Sequence, residues 1–219
     1  MKVTVSMITM NEEGAIAKVV GDIRRVVPDA EILVVDSSRD RTPEIASGLG
    51  CRVLSQFPPE GYGPAMNRAV REAAGDVVIT LDCDDTYPVD AIPRLLELID
   101  NGNDLVNTTR VEKRPKAMPL ANFLANRAFA LVAHVVHGIR TTDLHSGMRA
   151  YRKSMIDQVR WSEFGPALPV DMLLIPYRRG FRIAEIPIEY HERIGVTTLR
   201  RFSRTWWTLK RIWRARRAA

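Results

Sequence analysis

Closely spaced aspartates give the clearest chemical signal in this sequence. Asp82, Asp84 and Asp85 directly follow an apolar run that ends at Leu81. A Mg²⁺ or Mn²⁺ ion at a phosphate site typically takes one or two carboxylates and completes its shell with water and diphosphate oxygens. An Asp-x-Asp sequence at a strand end suits that role, because concentrated negative charge costs stability unless a cation compensates it. The alternative interpretation is a solvated acidic turn or a helix cap.

The sequence lacks the signatures of several other enzyme chemistries. No Gly-x-x-x-x-Gly-Lys-Ser/Thr loop occurs, and Gly61-Tyr62-Gly63 lacks the continuation of a dinucleotide fingerprint. The four histidines form no metal-ligand cluster, and there is no Gly-x-Ser-x-Gly elbow. These absences argue against P-loop enzymes, dehydrogenases, zinc enzymes and serine hydrolases.

Strand-like and helix-like segments alternate along the first half of the chain. The predicted strands cover residues 3–9, 32–36, 52–54 and 77–81, and the predicted helices are capped by Asn11, begin at Thr42-Pro43-Glu44, and run from Pro64 to Gly75. This alternation favours a mainly parallel sheet with helices on both faces. Such sheets bind ligands at the carboxyl ends of their strands, where Thr9, Asn11, Asp36 and the aspartates lie.

Length and composition favour a single globular domain. The chain has 219 residues, of which 46% are hydrophobic and 26% charged, enough for one sizeable core. The pattern is weaker after Gly102, with one long helix predicted over residues 118–137 and a strand near residues 182–188. We find no internal repeat and no linker long enough to divide the chain.

Ordered motifs in the first half resemble those of family 2 glycosyltransferases with the GT-A fold. The motifs are residues 8–13 (ITMNEE), 34–42 (VVDSSRDRT), 61–67 (GYGPAMN), 75–76 (GD) and 82–84 (DCD). The second half resembles polyprenyl-phosphate sugar transferases such as dolichol-phosphate mannose synthase. Its motifs are residues 107–110 (NTTR), 143–150 (DLHSGMRA), 180–188 (GFRIAEIPI) and 193–195 (RIG). The resemblance implies a GT-A, Rossmann-like sheet flanked by helices.

The resemblance also implies roles for individual residues. Thr9, Asn11, Glu12 and Asp36 would line the nucleotide, and Asp36 would read the base or the ribose. Asp82 and Asp84 would hold Mg²⁺ or Mn²⁺ on the diphosphate, and Arg110 and Arg193 would bind phosphates. Guanidinium groups suit this chemistry because they stabilise a leaving diphosphate bidentately. The alternative for both arginines is an ordinary surface ion pair.

Asp143 has three possible roles at this stage. In relatives that glycosylate a hydroxyl group, a carboxylate in this neighbourhood can act as general base. A lipid phosphate is already ionised near neutral pH, so Asp143 would then orient an arginine or the sugar. The third possibility is structural, because the following Ser146-Gly147 fits a tight turn equally well. We place Asp84, Arg110, Asp143 and Arg193 in the catalytic group.

The sequence departs from the family pattern at three places. The loop from Asp36 to Thr42 is one residue shorter than usual, Thr197-Thr198 replaces a common Ser-Lys, and Cys83 stands where alanine is common. Arg200 or Arg201 would have to substitute for the missing lysine, although the two side-chain types are not interchangeable. These departures motivate the alternative of a non-catalytic membrane-docking protein on the same fold.

The net charge of +6 is concentrated at the end of the chain. From Arg200 onward there are eight basic residues and no acidic one, so the rest, with 24 basic and 26 acidic residues, has a net charge of −2. At helical spacing Phe202, Trp206, Leu209 and Trp213 form a stripe, and Arg204, Lys210, Arg211 and Arg214 lie off it. We predict an amphipathic helix at a membrane interface; a helix packed on the body and a nucleic-acid patch are the alternatives.

These observations lead to one functional hypothesis. We expect residues 1–199 to form the GT-A domain, with a nucleotide-binding half (1–102) and an acceptor half (103–199), followed by a basic tail (200–219). The expected reaction is metal-dependent, inverting transfer of mannose from GDP-mannose or glucose from UDP-glucose to a polyprenyl phosphate. The alternative acceptor is a soluble hydroxyl compound. A basic loop at residues 111–117 is a candidate for closing on the donor.

We also expect a peripheral protein on the cytoplasmic, inner face of a membrane. A membrane-spanning helix needs about 20 apolar residues, and the best candidate, residues 120–136, is interrupted by polar side chains. The first residues form a strand-like run instead of a charged leader with a long apolar stretch. Cys51 and Cys83 provide no disulfide framework, as is usual in a reducing compartment.

Overall fold

The computed structural model describes residues 1–112, 114–116, 118–195 and 203–217. The strands are β1 (Val3–Thr9), β2 (Glu31–Asp36), β3 (Arg52–Ser55), β4 (Val77–Thr80), β5 (Leu105–Thr109), β6 (Arg149–Arg152) and β7 (Ile183–Pro187). The helices are α1 (Ile16–Val26), α2 (Thr42–Gly48), α3 (Tyr62–Arg71), α4 (Ile92–Asp100), α5 (Leu120–His137), α6 (Lys153–Gln158), α7 (Leu168–Arg178) and α8 (Ser203–Ala215). A short 3₁₀ turn, Val89–Ala91, precedes α4.

The seven strands form one sheet in the order β3-β2-β1-β4-β6-β5-β7. Neighbouring strands are parallel except around β6, which is antiparallel to both β4 and β5. Since β6 is antiparallel to two neighbours, β4 and β5 point the same way. The loops after β1, β2, β4 and β5 therefore meet at one edge of the sheet.

Strands β1, β2 and β4 are buried on both faces, whereas β3, at the edge of the sheet, is only partly buried. In β2, Ile32 and Val34 pack with helices α1 and α4, whereas Leu33 packs in a second core with α3 and the C-terminal helices. Strands covered on both faces have continuous apolar sequences instead of alternating ones. This is why β2 and β4 could be located from apolar runs.

The structure confirms the predicted fold class: a mostly parallel sheet with helices on both faces and a C-terminal helix. The predicted strands of the first half agree with β1 to β4 within one residue at each end, and the strand predicted near residues 182–188 is β7. The predicted long helix begins at Leu120 instead of Met118. The sheet continues through both halves of the chain, since β6 of the second half pairs with β4 of the first.

The predicted helix cap at Asn11 is wrong. Asn11 has a left-handed backbone with φ of 61°, and α1 begins only at Ile16. Its side-chain Oδ1 accepts a hydrogen bond from the backbone N of Arg39 at 2.9 Å. Asn11 therefore joins the loops after β1 and β2 and does not cap a helix.

The predicted end of the third helix at Gly75 is also wrong, since α3 runs from Tyr62 to Arg71. Gly75 instead lies against β1, where an added Cβ would be 2.7 Å from the backbone N of Thr4. The glycine is needed for this close approach of two backbones.

The C-terminal helix α8 is packed on the protein body through one face and exposed on the other. Thr208, Arg211, Ile212 and Ala215 are buried, while Trp206, Leu209 and Trp213 are exposed. The predicted helix is confirmed, but Arg211 is no part of a solvated basic face. Its side chain is 1% exposed and pairs with the buried Asp171 of α7.

Some sequence expectations fall outside the described residues. These are the roles of Thr197, Thr198, Arg200, Arg201 and Phe202, the boundary between residues 199 and 200, and part of the loop at residues 111–117. Of the helices described, none combines the length and the apolarity needed to cross a membrane.

Arg211→Met tests how α8 is attached. The guanidinium of Arg211 donates hydrogen bonds to Asp171 and to the carbonyl oxygens of Ser162, Phe164, Gly165 and Pro166. Removing one partner of a buried ion pair typically costs about 3–5 kcal/mol, because the other charge stays buried. We expect this loss in the free energy of unfolding measured in urea.

Arg214→Met is the matched control, because Arg214 is exposed on the same helix and its replacement should change the free energy by less than about 0.5 kcal/mol. Equal stability of the two variants would contradict the attachment of α8 through Arg211.

Candidate active site

A first group of site residues joins the loops that follow β1 and β2. The hydroxyl of Thr9 donates to Oδ1 of Asp36 at 2.6 Å. Ser38 donates to the same carboxylate through its backbone N at 3.1 Å and its hydroxyl at 2.6 Å. Asp36 is 4% exposed. Its carboxylate therefore holds the two loops in a fixed relation to each other.

The backbone of the β1 loop is tied to the β2 loop by further hydrogen bonds. The backbone N of Asn11 donates to the Ser38 hydroxyl at 2.8 Å, and that of Glu12 donates to the Thr42 hydroxyl at 2.9 Å. Thr42 is itself held by the carboxylate of Asp40. The two loops form one polar rim beside the ends of the strands.

A second group is an acidic cluster bridged by an arginine. The guanidinium of Arg193 contacts Oδ2 of Asp84 at 2.9 Å and Oε1 of Glu12 at 2.6 Å. The other oxygen of Asp84, Oδ1, accepts from the backbone N and the hydroxyl of Thr86 at 3.2 and 2.6 Å. Ile194 donates its backbone N to the carbonyl of Asp84 at 2.9 Å, which fixes the Arg193 segment on the loop after β4.

The pKa values of the acidic groups reflect their burial and their closeness to one another. Burial, with the neighbouring Asp84 charge, raises the pKa of Asp82 to about 7. Burial also raises the pKa of Glu12, although the Arg193 charge acts in the opposite direction. Within the described residues, no donor forms a hydrogen bond to the Asp82 carboxylate, so its charge has no direct partner there.

The cluster fits a divalent cation as a partial ligand set. In the part of the chain that the structure describes, no three acidic, histidine or cysteine side chains converge as a complete metal site. Two carboxylates, Asp82 and Asp84, lie on one loop at the strand end, whereas Asp85 pairs with Lys18 at 2.7 Å. Hard carboxylate oxygens of this kind suit Mg²⁺ or Mn²⁺ when diphosphate and water complete the shell.

A third group surrounds Arg110, the residue directly after β5. Its Nε and Nη2 donate to the two carboxylate oxygens of Asp143 at 2.7 and 3.0 Å. Its guanidinium carbon lies 5.3 Å from the ring centre of Tyr190 and 6.0 Å from that of Tyr87. This is a bidentate ion pair inside an aromatic cage.

The charges of this pair support each other. Burial alone would raise the pKa of Asp143, but the Arg110 guanidinium and the backbone N–H of His145 together outweigh burial and lower it. The Asp143 charge in turn raises the pKa of Arg110 against the effect of burial. Asp143 is fully buried and also accepts from the backbone N of His145 at 2.9 Å. Such a carboxylate can orient Arg110, but it has no exposed oxygen for a substrate.

The second and third groups are linked through Tyr87 and Gly147. The backbone N of Gly147 donates to the Tyr87 hydroxyl at 2.7 Å. An added Cβ on Gly147 would lie 3.0 Å from Oδ2 of Asp82. The loop of Asp143 therefore packs directly on the aspartate loop.

The structure brings all predicted site residues to one edge of the sheet, in three groups. Thr9, Asn11 and Asp36 form the first, Glu12, Asp82, Asp84 and Arg193 the second, and Arg110 and Asp143 the third. Sequence reasoning missed the two tyrosines around Arg110. Tyr87, three residues after Asp84, could have been suspected from its position alone.

The chain is similar to a known family of enzymes. The family described as glycosyl transferase family 2 matches residues 4–160. A dolichyl-phosphate hexose transferase of Haloferax volcanii is 44% identical over 200 residues, which cover 91% of this chain and 87% of that protein. A dolichol-phosphate mannosyltransferase of Pyrococcus furiosus is 28% identical, and the match covers 87% of this chain but 56% of that protein.

A solved structure supports the fold. It is glucosyl-3-phosphoglycerate synthase from Mycobacterium tuberculosis in complex with Mn²⁺, UDP-glucose and phosphoglyceric acid. The two structures superpose with a TM-score of 0.77 at 21% identity, over 98% of this chain and 79% of the other.

Gly147→Ala tests the packing between the two loops. The added methyl group would press on the Asp82 carboxylate, and overpacking of this kind typically costs about 1–3 kcal/mol. We expect a corresponding loss in the free energy of unfolding, measured by urea denaturation.

The same substitution at Gly21 should act in the opposite direction. Gly21 lies in α1 with open space around it, so alanine should stabilise the protein by about 0.5–1 kcal/mol through helix propensity. A Gly147→Ala variant as stable as the unmodified protein would show that the loops do not pack as described.

Proposed function

Because the chain belongs to glycosyl transferase family 2, we propose that it transfers mannose or glucose from a nucleotide sugar to a polyprenyl phosphate. The observation that carries this proposal is the placement of an acidic cluster and two arginines, Arg110 and Arg193, at one edge of the sheet. The similarity to the Haloferax volcanii dolichyl-phosphate hexose transferase over nearly the length of both proteins supports the same acceptor.

The donor side lies at the first two groups. The rim of Thr9, Asn11 and Asp36 would hold the nucleoside, with GDP-mannose and UDP-glucose as candidate donors. Asp82 and Asp84 would hold Mg²⁺ or Mn²⁺ against the diphosphate, and the bound ion would neutralise charge on the leaving group. A structural neighbour crystallised with Mn²⁺ and UDP-glucose supports this choice.

Arg193 would change partners when the donor binds. Without a ligand it pairs with Asp84 and Glu12, two carboxylates of the acidic cluster. Once cation and diphosphate occupy the cluster, its guanidinium is free to bind a phosphate oxygen bidentately. One side chain thus compensates the acidic cluster in one state and the leaving group in the other.

The acceptor side lies at Arg110. A lipid phosphate held by this guanidinium needs no general base, because its oxygen is already ionised near neutral pH. That oxygen would form a bond to the anomeric carbon while the bond to the diphosphate breaks on the opposite face, which inverts the configuration. The nucleoside diphosphate leaves with the electron pair. Asp143 acts as a positioning residue that holds Arg110 in place.

The buried state of Asp143 favours a phosphate acceptor over a soluble hydroxyl compound. A general base must reach the proton that it removes, and both oxygens of Asp143 are already occupied by Arg110 and His145. A non-catalytic protein on this fold would have no need to keep a caged arginine beside a carboxylate cluster.

The location of the protein follows from its acceptor. A polyprenyl phosphate is reached at a bilayer surface, so we place the protein peripherally on the inner, cytoplasmic face of a membrane, attached through the tail at residues 200–219. Residues 1–102 would serve mainly the donor and residues 103–199 mainly the acceptor.

Asp84→Ala tests the donor side. We expect GDP-mannose or UDP-glucose to raise the melting temperature of the unmodified protein only when Mn²⁺ is present, because a ligand that binds the native state stabilises it. The variant should lose this shift and most of its transfer activity. The measurements are differential scanning fluorimetry and transfer of labelled sugar to a polyprenyl phosphate.

Asp85→Asn is the matched control, since Asp85 lies next to Asp84 but pairs with Lys18 on the surface. It should keep the Mn²⁺-dependent shift. Full activity of Asp84→Ala would rule out the proposed ligand, and the absence of any nucleotide effect on the unmodified protein would favour the non-catalytic alternative.

Asp143→Asn and Arg110→Lys test the acceptor side. Both changes remove the bidentate pair, so each should raise the acceptor KM about tenfold or more while the Mn²⁺-dependent nucleotide shift persists. The lowered pKa of Asp143 keeps it ionised throughout the neutral range, so Asp143→Asn should leave the shape of the pH profile of kcat unchanged.

A general base behaves differently. If Asp143→Asn lowered kcat by about 10²-fold or more at an unchanged acceptor KM, and removed an acid limb of the profile, Asp143 would be a base and the acceptor a hydroxyl compound.

A further inference from the structure

The outer surface of α5 is mostly apolar and carries one charged side chain, Arg127. Leu120, Leu124, Leu131 and Val135 follow one another at helical spacing and form one stripe, with Val132 at its side. Leu131 is 64% exposed and Val135 is 77% exposed. The opposite side of the helix, with Ala130, Ala133 and His137, is buried in the protein.

The exposed stripe of α8 lies beside this surface. The two helices are in contact, and Nε2 of His137 on α5 forms a hydrogen bond with the carbonyl of Ile212 on α8 at 2.7 Å. Since each helix has its buried face on the protein body, the exposed stripes point outward next to each other. Of the thirteen large hydrophobic side chains exposed in the described residues, eight lie on these two helices.

The charges on the two segments that carry the stripes are of one sign. Residues 118–142 and 203–217 contain no aspartate and no glutamate. The exposed basic residues in these segments are Arg127, Arg140, Lys210, Arg214, Arg216 and Arg217. Arg216 lies over the ring of Trp213, with 4.6 Å from its guanidinium carbon to the ring centre. An apolar surface with a basic border has the chemistry of a contact with anionic lipid.

We propose that α5 and α8 together form one docking surface for an anionic bilayer. This goes beyond attachment through the C-terminal tail, because α5 contributes the longer apolar stripe. It rests on the proposed function only in one respect, since the polyprenyl-phosphate acceptor is the reason for the protein to be at a membrane. A second copy of this chain is a poor occupant, since a two-fold contact would bring the same basic border against itself. Anionic lipid headgroups complement the border, and acyl chains complement the stripes.

The docking surface is directly connected to the proposed acceptor site. On α8, the Thr208 hydroxyl hydrogen-bonds Nε2 of His145 at 3.0 Å. The backbone N of the same histidine donates to Asp143, which holds Arg110. Phe129 of α5 packs on the His145 ring with 5.7 Å between ring centres. Docking through these helices therefore places Arg110 near the lipid headgroups, where a polyprenyl phosphate is found.

The test is co-sedimentation of the full chain with vesicles that lack any polyprenyl phosphate. We expect binding to vesicles of phosphatidylcholine with about one third phosphatidylglycerol, weaker binding to phosphatidylcholine alone, and a decrease between about 0.1 M and about 0.5 M NaCl. The double variant Leu131→Glu and Val135→Glu should weaken binding about tenfold or more, and Trp206→Glu with Trp213→Glu should do the same.

Leu49→Glu is the matched control, because Leu49 is an exposed leucine at the end of α2, outside both helices. It should bind vesicles like the unmodified protein. The melting temperature of each variant, with and without Mn²⁺ and nucleotide sugar, shows whether the fold and the donor site are intact.

Three outcomes would overturn the proposal. They are a failure of the unmodified protein to bind anionic vesicles, unchanged binding of the α5 variant, and a dimer in analytical ultracentrifugation that the α5 variant dissociates. None of these depends on transfer activity. A protein that binds vesicles but no nucleotide would instead refute the proposed function and leave the docking surface standing.

Discussion

Compensation of negative charge at one edge of the sheet is the constraint on which the site depends. The strands deliver Asp36, Asp82, Asp84 and, from the neighbouring loop, Asp143 to this edge, where burial opposes the charged form of a carboxylate. Asp143 obtains a guanidinium of its own, and its pKa is lowered; Asp82 has none, and its pKa is raised to about 7. The negative charge is thus compensated at Asp143, which pairs with Arg110, but not at Asp82. This difference distinguishes a positioning carboxylate from a carboxylate available to a cation.

Features of the protein that depend on neighbouring residues could be predicted from the sequence, whereas features that depend on distant residues could not. Strands β2 and β4 could be predicted because strands buried on both faces have apolar runs, and β1 because its apolar residues alternate with small polar ones. Strand β5 contains Asn107, which is buried only because Arg149 and Glu185 supply hydrogen-bond partners at 2.7 Å. Likewise, Arg211 has the sequence character of a surface residue, and its burial follows from Asp171 on another helix. The site aspartates were predicted from their place after an apolar run, whereas the aromatic cage of Arg110 has no local pattern.

From the sequence alone, packing on the protein body and an outward-facing aromatic surface are alternatives for the C-terminal helix. Helix α8 has both. Its inner face is fixed by a buried ion pair and by hydrogen bonds from His137 and His145, and its outer face exposes two tryptophans. A helix held in this way is an integral part of the domain, so its orientation relative to the site is set before any contact with a partner. Preorganisation of this kind lowers the ordering cost of binding.

The late position of β6 in the chain delays completion of the sheet during folding. Strand β6 lies between β4 and β5, yet it is made after both, about 70 residues beyond β4, and such distant pairings slow folding. A nascent chain that ends before residue 149 therefore has the parallel unit of β3, β2, β1 and β4 with β4 as an additional open edge, and β5 lacks both of its partners. Open strand edges are templates for aggregation. Chains that end within residues 81–148 accordingly expose the edge of β4 that β6 covers in the complete protein.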